Sequence, residues 1–143
     1  MRKSVPAIII LAVYLGFASC SKVENPRTVV KEFANAVLQD DSTKIESLIN
    51  WEGMIKGRLQ TMSHNDSIRA FEYHKNKFME SLIDSGYRRL SYLNSRIVVG
   101  KGEIKGNRAE VELSFIDKET AIQNYTKVVL DKSPDGWKII YFY

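Results

Sequence analysis

Few side chains in this 143-residue chain are equipped for chemistry, and they are scattered. Proton transfer to or from carbon needs a carboxylate or histidine titrating near neutrality, with a tyrosine or acid to steady the developing oxyanion. The available groups are His64, Asp66 and His74, with Tyr92, Tyr125 and Tyr141 as hydroxyl donors. His64 and His74 stand ten residues apart, which is not the i, i+4 spacing that points two imidazoles at one zinc ion. The single cysteine excludes an intramolecular disulfide and a multi-cysteine metal site. Glu110 and Glu112 alternate with Ala109, Val111, Leu113 and Phe115, so they belong to the solvent face of a strand. Gly100-Lys101-Gly102 precedes no helix whose N-terminus would hold a phosphate. No acid–base pair assembles from these residues, and no cofactor, metal or nucleic-acid partner is expected.

The cysteine is informative through its position. Arg2 and Lys3 precede an uncharged, mostly apolar run from Val5 to Ala18, which is too short to span a bilayer and suits the core of an export signal. The run ends in Phe17-Ala18-Ser19-Cys20, which resembles the lipobox of bacterial lipoprotein precursors, with Phe17 where leucine is usual. That resemblance implies cleavage between Ser19 and Cys20, a diacylglycerol thioether on Cys20 and a further acyl chain on the freed amine. Each buried methylene adds about 0.8 kcal/mol, so several chains anchor stably where one would not. The expected organisation is a leader over 1–19, a lipidated tether over 20–24 and one domain over 25–143. Ser21 after the cysteine favours the outer membrane of a bacterial envelope, facing the periplasm.

Loss of the leader removes two of the 21 basic side chains, so the exported body carries a net charge of only +2. With 44% hydrophobic and 27% charged residues, the composition is that of a globular domain rather than a disordered or collagen-like chain. Asn25-Pro26 reads as a helix start, with Val29, Val30, Phe33, Ala34 and Val37 forming an apolar stripe behind it. Thr43 and Glu46 offer a capping box for a short second helix, after which Trp51 plugs the core. A third helix is expected from Asp66 to Asp84, stopped by Gly86, with Ile68, Phe71, Phe78, Met79 and Leu82 on one face. Lys75 falls within that face, either aimed into a wet, anion-holding pocket or snorkelling to water. His74 lies on its flank.

Beyond Gly86 the period changes to two. Leu90 and Tyr92 leading into Ile97, Val98 and Val99 suggest a first long strand. Arg108–Ile116, Ile122–Leu130 and Trp137–Tyr143 follow as three more, joined by turns at Lys105-Gly106-Asn107, Asp117–Thr120 and Ser133-Pro134-Asp135-Gly136. Helices followed by four consecutive strands read as an α+β domain, its N-terminal helices packed on a curved antiparallel sheet of four or more strands. On the last strand Trp137, Ile139, Tyr141 and Tyr143 share one parity and Ile140 and Phe142 the other, so both faces are apolar. The helices, a second copy or an envelope protein would cover the second face. Basic residues exceed acidic ones by three between Lys56 and Arg89, an excess that favours either an anionic surface or plain solvation.

Asn25-Pro26 before an apolar helix, the Asp40-Asp41 turn, Asn107-Arg108-Ala109-Glu110-Val111 and Asp135-Gly136-Trp137-Lys138-Ile139 together resemble small secreted lipoproteins of the nuclear-transport-factor-2-like superfamily. The resemblance implies a cone of helices around a curved sheet, commonly with an interior pocket. Phe33, Phe71, Lys75, Phe78, Tyr125 and Trp137 are the expected lining. It also implies a choice between a non-catalytic binding module and an isomerase or hydro-lyase using the same pocket. The missing acid–base pair favours the binding module, tethered where its partners are concentrated.

Intact-mass measurement on membrane-extracted protein tests the address. The expected species begins at Cys20 and carries acyl chains, and Cys20→Ala yields an unacylated product; an unmodified wild-type chain beginning at Met1 would contradict it.

Overall fold

The computed structural model describes residues 25–59 and 64–143, with side chains 56–59, 64, 65 and 67 also outside the description. The leader, the tether, Ser19, Cys20 and the side chain of His64 therefore lie outside the described residues. Five helices precede four strands: α1 (Pro26–Gln39), α2 (Ser42–Leu48), α3 (Trp51–Leu59), α4 (His64–Leu82), α5 (Tyr87–Asn94), β1 (Ser95–Lys105), β2 (Arg108–Asp117), β3 (Gln123–Ser133) and β4 (Gly136–Phe142). The strands form an antiparallel meander in the order β1-β2-β3-β4. Among the described residues no helix is long and apolar enough to cross a membrane.

Helix α1 starts as its sequence requires: Asn25 Oδ1 accepts the Arg27 N–H at 3.0 Å, and Pro26 fills the first turn. Its stripe of Val29, Val30, Phe33 and Val37 is fully buried against Val111, Leu113, Val128, Leu130 and Ile139 of the sheet. The second helix is capped differently from expectation. Asp41, not Thr43, accepts the Lys44 N–H at 2.9 Å, because Asp40 turns left-handed at φ 60° and the helix starts two residues earlier than expected. Trp51 is the first residue of a helix rather than an isolated plug, and Asn50 starts that helix by accepting the Gly53 N–H at 3.0 Å. Ile68 is 53% exposed, since the first half of α4 runs beyond the core.

The largest departure from the sequence reading lies at residues 87–94, where α5 replaces the start of the expected first strand. Gly86 does not merely stop a helix; it precedes the next one. A Cβ there would come within 2.3 Å of the Glu80 carbonyl oxygen and 2.5 Å of Ser81, so only glycine lets α5 begin directly against the end of α4. Arg89 then fastens α5 to α1. Its guanidinium donates to the Val37 and Leu38 carbonyls at the C-terminus of α1, at 3.0 and 3.3 Å, and to the Asp84 carbonyl between α4 and α5 at 2.7 Å. Leu90 and Tyr92 alternate like strand residues, yet Tyr92 is buried and Leu90 stands 44% exposed.

Two bulges bend the sheet. One lies on β1 between Val99 and Gly102, the other on β4, where Val129 pairs with Tyr141 and Leu130 with Ile139. Ile140 is the extra residue, and it inverts the parity expected for the last strand. Trp137, Ile139 and Phe142 face the helices, whereas Tyr141 and Tyr143 stand 52% and 54% exposed on the outer face. The helices thus cover Phe142, and Ile140 is buried beneath Gly53 of α3.

Arg89→Met should cost on the order of 2 kcal/mol, since it removes three hydrogen bonds that tie α5 to α1 and to the end of α4. Its neighbour Arg88, which bonds no backbone carbonyl, should tolerate the same change for under about 1 kcal/mol. Urea unfolding of both variants measures the contrast.

Candidate functional site

The concave face of the sheet is not filled along its whole length. Toward β4's start, Trp137 and Ile139 close it against α1 and α2; toward the other end, the inward positions are Phe115, Asn124, Thr126 and Phe142. Asn and Thr are too small and too polar to complete a packed layer there. A cavity of about 440 Å³ remains, bounded by Phe33 of α1, Phe78 and Leu82 of α4 and a row of α5 residues. Its volume lies in the ordinary range for small-molecule sites.

Helix α5 supplies the polar side of this cavity. Tyr87, Arg88, Ser91, Tyr92 and Asn94 line it with Ser95, as positions one turn apart on one helical face must. The Tyr92 ring meets Phe33 and Phe115 edge to face at 6.4 and 4.9 Å between centroids. Its hydroxyl makes no hydrogen bond with any described residue, although the residue is 5% exposed. Burial pushes that hydroxyl well above the ordinary tyrosine range, with Arg88 opposing the shift, so it remains a proton-bearing donor. At the far end of α5, Asp117 lines the same cavity. One of its oxygens accepts from the Glu119 and Thr120 N–H groups and the Thr120 hydroxyl, at 3.0, 2.7 and 2.9 Å. These bonds, Thr120's first, hold its carboxyl below the usual range, so the group is an anion near neutrality and a poor proton acceptor.

A second, smaller hollow of about 240 Å³ adjoins the first across Phe78, Tyr87, Arg88 and Phe142, which border both. Trp51, Met54, Ile55, His74, Lys77, Ser81 and Tyr141 complete its wall, which contains no carboxylate. Trp51 Nε1 is the one described buried side-chain polar atom without a hydrogen-bond partner.

The sequence-predicted lining is divided by the structure. Phe33 and Phe78 line the main cavity, and His74 lines the smaller hollow. Phe71 is half-buried and borders neither. Lys75 pairs with Glu46 and lies 5.5 Å from the centre of the Trp51 ring, so its charge is spent on a neighbouring helix rather than on a pocket. Tyr125 stands opposite Ser114 on the outer face of the sheet and is 69% exposed. Trp137 is buried in the closed half of the core. Asp66 is exposed on the first turn of α4, far along that helix from the cavity-lining Phe78 and Leu82. Glu110 faces outward toward Lys127 at 3.5 Å, as its parity requires. Among the described residues no three His, Cys, Asp or Glu side chains converge on a metal position. Arg88, Ser91 and Asn94 do not stand out as a set in the sequence because Leu90 and Tyr92 fit the start of a strand; the i, i+3 spacing of the three is the signal that marks them.

No family model matches the chain, and no curated protein does. Among solved structures, a Campylobacter jejuni protein provisionally described as an NTF2-like transpeptidase superimposes on 82% of this chain and 99% of its own, with a TM-score of 0.53 and 12% identity. The fold is NTF2-like. At that identity the likeness carries architecture alone: helices gathered on the concave side of a curved four-stranded sheet, which is where this NTF2-like domain has its cavity.

Because its folded-state pKa is depressed, Asp117 contributes stability that is present above about pH 4 and fades as pH falls toward the lowered value. Asp117→Asn should therefore unfold at lower urea than wild type near neutrality, with the two midpoints converging as pH falls through the lowered value.

Proposed function

We propose that this chain is a lipid-anchored protein of the bacterial envelope whose NTF2-like domain binds a small, largely apolar ligand without turning it over. Cys20, through its acyl chains, is the tether. The cavity between α1, α4, α5 and the inner face of β2–β4 is the binding site, and it carries the reading. Four phenylalanines, Leu82 and the ring of Tyr92 supply apolar contact, while Asn124, Thr126 and Ser91 supply a few polar points, which is the usual balance in small-molecule pockets. Tethering holds this pocket at a membrane surface and raises its effective concentration toward ligands and partners there.

The alternative is an isomerase or hydro-lyase. Tyr92 as an oxyanion donor and Asp117 as a base favour it, since they line one cavity. The hydrogen bonds that keep Asp117 anionic also lower its basicity, and neither His74 nor Asp66 shares the main cavity with Tyr92. Outward-facing Tyr125 and Tyr143 suit a homodimer or an envelope partner on the other face of the sheet.

Native mass spectrometry of protein taken from its own host membranes should detect a retained small molecule. Asn124→Trp, which fills the cavity from a position without a hydrogen-bond partner, should abolish retention while leaving the fold intact by circular dichroism. His74→Ala and Asp66→Ala should both retain the ligand. Equal retention by Asn124→Trp would place the ligand elsewhere.

A further inference from the structure

The two hollows differ in electrical character, and their arrangement gives the site a direction. The main cavity is aromatic along its walls and carries a carboxylate, Asp117, at the C-terminal end of α5. Arg88 lies six residues before Asn94, the last residue of α5, and so about 9 Å along the helix axis from that end. It marks the boundary with the smaller hollow, whose wall offers Arg88, Lys77, His74 and two tyrosines and no acid.

Arg88 itself is under-used. Its guanidinium is 5.2 Å from the centre of the Phe78 ring and 5.4 Å from that of Tyr87, and Nε donates to the Tyr87 hydroxyl at 3.1 Å. No carboxylate lies within 4.0 Å of it among the described residues, and its other N–H groups donate to none of them. This contrasts with Arg89, whose guanidinium is consumed by backbone carbonyls, and with Lys77, which is 2.7 Å from Glu80. A half-buried guanidinium stacked on aromatic rings is held in place with its fork available, the state suited to receiving a carboxylate or phosphate. Two further donors lack partners nearby: the Tyr92 hydroxyl, one turn along α5, and the Trp51 indole N–H, whose residue lines the smaller hollow.

We propose that the site takes a single-tailed anionic amphiphile, its hydrocarbon body in the main cavity and its carboxylate or phosphate head at Arg88 and the adjoining hollow. The proposal rests on the ligand-binding reading above and adds the charge and orientation of the ligand. Repulsion by Asp117 at the opposite end disfavours the reversed orientation, and the phenylalanine walls exclude a small free anion from the cavity body. Arg88 is the specificity-determining residue: it distinguishes head groups while the rings hold the tail.

Titration calorimetry on the soluble domain with matched ten-carbon ligands decides it: decanoate, decyl phosphate, decanol and decylammonium. Wild type should bind decanoate or decyl phosphate at least tenfold more tightly than decanol, and decylammonium most weakly; whichever acid binds better identifies the head group. Arg88→Met should bring the preferred acid down to the affinity that the same variant shows for decanol. Tyr92→Phe, which keeps the ring contacts, should weaken the acid a few-fold without loss of thermal stability, so the charge preference is tested even if Arg88→Met folds poorly. Equal wild-type affinity for decanol and both acids would overturn the inference while leaving the pocket as an apolar site. Failure of all four ligands to bind would overturn the pocket reading together with it.

Discussion

The seating of α5 is the constraint on which the cavity depends. Gly86 lets the helix begin against the last turn of α4, and Arg89 ties it to the last carbonyls of α1. Once those contacts are made, the helical period fixes the rest: Arg88, Ser91, Tyr92 and Ser95 must face inward, and α5 must deliver the chain directly into β1. The Asp117–Ala121 turn closes against the same helix, with the Lys118 N–H on the Asn94 carbonyl at 3.0 Å and the Lys118 ammonium on the Leu93 carbonyl at 2.7 Å. One short helix is thereby held at both ends, by α1 at the start and by the β2–β3 turn at the finish.

Two kinds of inward residue divide the concave side of the sheet. Large apolar groups at Leu130, Ile139 and Trp137 meet α1 and make a dry core; small polar ones at Asn124 and Thr126 face the opposite end and leave space. The β4 bulge sharpens this division. By inserting Ile140, it turns Phe142 inward against Phe33 and Phe78, at 5.4 and 5.8 Å between ring centroids, where an unbroken strand would have presented Tyr141. The cavity is accordingly aromatic where it adjoins the core and polar along α5.

Much of this was legible in the residues. The α1 stripe, the hairpin turns, the clean alternation of β2 and the order of helices before strands all follow from local pattern, because each is set by contacts a few residues apart. Local pattern could not show α5: Leu90 and Tyr92 fit a strand, and the two features that make the segment a helix, a glycine against α4 and an arginine on α1, are tertiary. The bulge at Ile140 was hidden for the same reason, since parity holds only while pairing is unbroken. Phe33 and Phe78 were found from the sequence because buried aromatic rings lie on predictable helical faces. Tyr125 and Lys75 were misplaced because an outward strand position and an ion pair with another helix are set by register and packing. Arg88 and Arg89 look alike as neighbours in a basic run, and only their positions one helical step apart give one to the backbone and the other to the cavity.

A crystal structure of the domain purified from its native membranes, with no ligand added, would test the central claim most directly. Elongated density between Phe33, Phe115 and Phe142, ending at the Arg88 guanidinium, is the predicted result. A cavity closed by Phe78 and Phe142, with Arg88 turned out to solvent, would contradict it.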